Sequence, residues 1–177
     1  MMRAPPGRRA ESRWTGPRPR RFTASVITVE QRQDPQATEQ ILRALPSWFG
    51  IEDAIRSYAE DAATKISYLA VDAGRTVGVA LLEPHFPEPV ELWLIAVHPD
   101  YRGQGVGTKL VAEIEQDLRQ QAVSFLQVKT VGESFEHAGY AGTRAFYRSC
   151  GFQPLEEMTG LGWDGPTVIM VKSLHTV

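Results

Sequence analysis

The sequence predicts an α/β (α+β) domain with about seven short strands and four helices in the order β-α-α-β-β-β-α-β-α-β-β. Three observations carry that reading. Residues 91–121 pass from an apolar run through His98-Pro99-Asp100 and Arg102-Gly103-Gln104-Gly105-Val106-Gly107 into Leu110, Val111, Ile114 and Leu118 at helical spacing. That is a strand, a glycine-rich turn and a helix. Two apolar runs, 65–71 and 76–82, flank Asp72-Ala73-Gly74-Arg75 and read as a hairpin. Asp34 followed by Pro35 is a helix start, an N-cap with proline at the first helical position.

The elements follow in order. Residues 22–29 are a first strand, and 34–45 a helix through Ile41 and Leu42. A break at Pro46-Ser47-Trp48-Phe49-Gly50 leads to a second helix over 51–62, with Ile51, Ile55, Tyr58 and Ala62 on one face. After the hairpin, a proline-rich loop (83–89) precedes the central strand at 90–97 and its helix at 107–121. Residues 125–130 are the next strand, 131–139 a loop, and 140–149 a helix that ends at Cys150-Gly151. Strands at 152–158 and 167–172 close the chain.

The chain has 177 residues, enough for one domain with a real core. Residues 1–21 form an Arg/Pro-rich tail with seven arginines and one acid, expected to be flexible, ahead of a folded domain at 22–177. Removing that tail from the nineteen basic and twenty-one acidic side chains leaves twelve and twenty, a body of net charge about −8. Such a body steers cationic small substrates and disfavours nucleic acid. The single cysteine, Cys150, cannot form an intramolecular disulfide. No run is long enough to span a membrane and no secretory h-region is present, so the expected setting is cytoplasmic. The four histidines (His85, His98, His137, His175) lack ligand spacing, so no metal is expected.

The glycine-rich turn fits neither G-x-G-x-x-G, whose last position falls on Thr108, nor G-x-x-x-x-G-K-[ST]. It does fit V-x-P-x-x-R-x-x-G-x-G through Val97, Pro99, Arg102, Gly105 and Gly107, and Tyr147-Arg148-Ser149-Cys150-Gly151-Phe152 fits Y-x-x-x-G-F. Together these resemble the GNAT superfamily of N-acetyltransferases, and the element order matches over residues 22–177. The resemblance implies a twisted, mixed, mostly antiparallel sheet and acetyl-CoA as co-substrate. Arg102, Gly103, Gln104, Gly105, Val106, Gly107 and Thr108 would hold its pyrophosphate through main-chain N–H groups at a helix start. The main chain of Ile95, Ala96 and Val97 would bind the thioester carbonyl and its oxyanion.

The same resemblance assigns Tyr147 the protonation of the departing thiolate. It assigns Glu91, six residues before Val97, the removal of a proton from the acceptor amine, directly or through one water. Glu133 and His137 are alternatives for that base on a nearby loop, and Trp48, Phe49 and Trp163 sit at connections that in this fold line the acceptor pocket. Tyr140 and Thr143 depart from the asparagine and alanine common in relatives. Cys150, beside a capping glycine with no base partner, reads as a small buried hydrophobe.

The implied activity is direct acetyl transfer, in a ternary complex, to a primary amine of a small molecule such as a metabolite, polyamine or antibiotic. A protein lysine or N-terminal acetyltransferase would share the chemistry. A toxin-like member acting on aminoacyl-tRNA needs a basic surface, which this body lacks. A non-catalytic acyl-CoA-binding module would keep the glycine loop but has no use for Tyr147 and Glu91. No membrane or nucleic-acid partner is expected, and the family habit of dimerising leaves room for a homodimer.

Overall fold

The computed structural model describes residues 26–161 and 163–175. β1 (Thr28–Gln31), β2 (Ile66–Asp72), β3 (Arg75–Pro84) and β4 (Pro89–Val97) lie side by side and antiparallel. β5 (Phe125–Val131), β7 (Pro166–Ser173) and β6 (Gln153–Thr159) complete a seven-stranded sheet in that spatial order. β4 and β5 are the parallel pair, because the chain crosses between them through a helix. The helices are α1 (Pro35–Arg43), α2 (Glu52–Thr64), α3 (Val106–Gln120) and α4 (Ala138–Ser149). Element number, type and order are those the sequence predicts.

Local chemistry explains the boundaries. Asp34 caps α1 by accepting from the Ala37 N–H at 2.9 Å, with Pro35 next to it. Ala73 and Gly74, both at positive φ (47° and 83°), make the β2–β3 turn. The first strand starts later than its apolar run suggests: residues 22–25 and the arginine-rich tail lie outside the described residues, and β1 occupies Thr28–Gln31. It is a mostly exposed edge strand, so hydrophobic alternation marks it weakly. Ile51 does not join the buried face of α2. It is the N-cap, 70% exposed, while Ile55 and Ala62 are buried.

The sheet buries both faces. On one, α3 and α4 pack through Val106, Leu110, Ile114 and Tyr147 against Tyr68, Ala80, Leu92 and Leu126. On the other, Ile41, Leu42, Leu45 and Ile55 of the α1–α2 layer cover Leu69, Val79, Leu81, Leu94 and Ala96. Two irregularities in β4 create the site. Leu81 faces Leu94 but Leu82 faces Leu92, so Trp93 is one residue too many and bulges. β4 and β5 pair only at Pro89–Phe125, Val90–Leu126 and Glu91–Gln127, then part. No helix among the described residues is long and apolar enough to cross a membrane.

Candidate active site

The parting of β4 and β5 opens a cleft of about 810 Å³, within the size range of small-ligand sites. Its walls are the second half of β4, the end of β5, the turn before α3, one face of α4 and the α1–α2 connection. The β4 main chain is ready for use. The His98 N–H donates to the Val77 carbonyl on β3, at 2.9 Å. Antiparallel alternation then turns the Ala96 N–H toward β3 as well, and directs those of Ile95 and Val97 into the gap where β5 has left. Of the three residues expected to serve the carbonyl, Ile95 and Val97 therefore carry the open donors, while Ala96 contributes only to the wall.

The turn provides an anion cradle. Gly103 and Gly105 have φ of 71° and 80°, a left-handed backbone that glycine adopts without strain. Gly105 is the N-cap of α3 and no side chain caps that end, so the first-turn N–H groups stay open to the cleft. Gly107 answers a different need: a Cβ there would sit 3.1 Å from the Phe146 ring on α4. Arg102, Gly103 and Gly105 through Thr108 all line the cleft. Gln104 does not, and its side chain turns back to donate to the Asp100 carbonyl at 2.7 Å. The Arg102 guanidinium lies 4.0 Å from the centre of the Trp48 ring, a cation–π contact that draws the α1–α2 connection over the turn.

Tyr147 stands on the α4 wall, 5% exposed, between Phe146 and Phe152. Burial pushes its phenol well above the ordinary tyrosine range, so it is protonated, a hydrogen donor rather than a base. Tyr140 and Thr143, the two departures from the family pattern, also face the cleft, and the Thr143 hydroxyl donates to the Gly139 carbonyl.

Glu91 is buried among side-chain partners. Its side chain is 4% exposed and is not part of the cleft wall. Its Oε2 lies 2.6 Å from His85 Nε2 and accepts from Lys129 Nζ at 2.8 Å, while Gln127 stands 3.5 Å away. Among the described residues, Oε1 has no protein donor yet is not among the sealed, unpartnered atoms, so it is left for water. Of this group, Lys129 is the residue that lines the cleft.

The expected acceptor residues divide. Trp48 and Phe49 line the cleft, with Phe49 edge-on to Tyr58. Glu133, His137 and Trp163 do not. Glu133 pairs with Arg148 on the outside of α4. Trp163 donates to Thr167 and meets Phe135 edge-on. Phe135 stacks on His137, and His137 leans on Tyr140, so these three rings support the wall from behind. Cys150 is buried, and that burial pushes its thiol up, as expected of a packing residue. No group of three metal-ligating side chains occurs among the described residues.

The acetyltransferase (GNAT) domain family matches residues 63–154, more than half of the chain, including β4, the glycine turn, α3 and Tyr147. The chain belongs to the GNAT acetyltransferase family. It is an acyltransferase by that membership. A Desulfovibrio desulfuricans protein assigned to the same family shares 21% identity, with a TM-score of 0.70 over 85% of this chain and 100% of its own. An aminoglycoside 6'-N-acetyltransferase in complex with coenzyme A follows at 18% identity and TM-score 0.69, over 85% and 98% of the two chains. The ribosomal-protein-S18-alanine N-acetyltransferase of Escherichia coli gives 19% and 0.69, over 86% and 96%. At such identities the likeness establishes the fold. No curated protein matches the chain. Lys129 and His85, the partners of Glu91, are the site residues that sequence reading missed. The available signal was a lysine inside a strand that borders the site.

Proposed function

We propose that this acyltransferase moves the acetyl group of acetyl-CoA to a primary amine of a small molecule, by direct attack in a ternary complex. The observation that carries the reading is the parting of β4 from β5, which leaves the Ile95 and Val97 N–H groups unpaired between the α3 N-terminus and Tyr147. The cradle fits the co-substrate: Gly103 and Gly105 keep side chains away from the pyrophosphate position, and open N–H groups point at it. Acetyl-CoA supplies an acetyl carbon activated as a thioester.

The chain's own groups do the rest. The Ile95 N–H polarises the carbonyl and holds its developing oxyanion, while Val97 hydrogen-bonds the adjoining arm. Water on Glu91 Oε1 takes the proton that the acceptor ammonium must lose before it can attack. The Tyr147 hydroxyl donates to the leaving sulfur. Trp48, held on Arg102 and part of the cleft wall, favours a small acceptor over an extended polypeptide. Free-thiol release from acetyl-CoA, measured against small amines, polyamines, amino acids, aminoglycosides and lysine peptides, tests this. Release with one class of small amine is the expected result. Release with peptides alone would refute the small-molecule reading, and tight acetyl-CoA binding with no release would refute the enzyme.

A further inference from the structure

The charges of the cleft narrow the acceptor class, and the argument rests on the acetyltransferase reading above. The body of the protein is acidic, yet among the described residues no aspartate or glutamate lines the cleft. The nearby carboxylates are engaged elsewhere. Glu91 is buried behind Lys129, Asp61 accepts from Trp93 at 2.8 Å, Glu83 pairs with Lys65, and Glu133 pairs with Arg148. The charged groups of the wall are Arg102, in the phosphate turn, and Lys129. A polycation entering there would surrender its hydration and meet only cations.

Lys129 is held as a fixed point. It lies two residues beyond Gln127, the last β5 residue paired to β4, so it stands at the fork where the strands part. Its side chain is 35% exposed. An ammonium has three donors; Glu91 takes one, and that carboxylate is itself held by His85. Two donors remain on a residue that lines the cleft, and the rings of Trp48, Phe49 and Tyr140 line the same cleft. We propose that the acceptor is an amine carrying a carboxylate on a flat or apolar body, of the aromatic amino acid class. Lys129 takes the carboxylate and the three aromatic side chains take the body. In the transfer the acceptor nitrogen bonds the acetyl carbon, the carbon–sulfur bond breaks, the nitrogen gives up a proton and the sulfur gains one. The carboxylate is unchanged.

The test uses the full chain. It compares phenylalanine, tyrosine and tryptophan with phenethylamine, tyramine and tryptamine, and with spermidine, by thiol release at saturating acetyl-CoA. A charged hydrogen bond predicts that kcat/KM for each amino acid exceeds that of its decarboxylated partner by at least about tenfold. In Lys129→Met that ratio falls toward one, and in Lys129→Arg it is kept. The ratio is taken within each variant, so a general loss of stability in Lys129→Met does not affect it. If that variant does not fold, the wild-type and Lys129→Arg ratios decide. Faster turnover of the amines or spermidine, failure to turn over any amino acid, or an unchanged ratio in Lys129→Met each overturns the proposal. Acetyl-CoA binding by calorimetry separates the two levels: retained binding with the wrong acceptor sinks only this inference, and absent binding sinks the acetyltransferase reading.

Discussion

Tyr147→Phe lowers kcat by about a hundredfold or more, the usual worth of a positioned hydrogen-bond donor to developing negative charge, and leaves acetyl-CoA affinity within a few-fold of wild type. The substitution removes one oxygen from a ring already packed between Phe146 and Phe152, so the core is retained. The pH profile carries the sign. Burial moves the phenol above its ordinary value of about 10, so the donor form persists throughout the neutral and mildly alkaline range. Wild-type kcat therefore shows no alkaline limb from this residue below about pH 10. A limb near pH 8 or 9 that vanishes in Tyr147→Phe would contradict the assignment. The phenol is a weaker acid than a thiol, whose ordinary value is about 8.5, so its contribution is hydrogen-bond donation to sulfur as charge accumulates there.

Glu91→Gln has the second large effect and separates two roles for a carboxylate held by Lys129 and His85. At pH 7 an alkylamine with a pKa of about 10 is neutral in only about one molecule per thousand, so a group that takes its proton matters greatly. If water on Glu91 Oε1 does so, kcat/KM at pH 7 falls by about a hundredfold in Glu91→Gln. The variant then recovers roughly tenfold per pH unit as hydroxide supplies the free amine. A loss of equal size at every pH would mean that Glu91 acts only by holding Lys129. Rates from pH 6.5 to 10 on both proteins make the distinction.

Much of this was legible in the sequence because it depends on neighbours in the chain. Asp34 with Pro35, the Ala73-Gly74 turn, the run from β4 through Gly105 into α3, and the Tyr147–Phe152 stretch are local devices, and each took the predicted form. What the sequence concealed arises between distant segments. The partners of Glu91 were hidden because they come from the β3–β4 connection and from Lys129, 38 residues on, brought beside it by the parallel pairing. His137 and Trp163, from two different loops, pack through Phe135, since rings that meet edge-on or stacked bury more surface together than apart, and Glu133 pairs with Arg148 instead. Net charge belongs to the whole body and does not say which side chains reach a particular wall.

The central claim is that the gap between β4 and β5 holds acetyl donor and amine together, and initial-rate kinetics test it most directly. With both substrates varied, direct attack predicts lines that intersect in a double-reciprocal plot. Parallel lines, with an acetylated protein isolated in the absence of amine, would contradict the account. They would require a nucleophile that the buried Cys150, its thiol pushed up by burial, is poorly placed to provide.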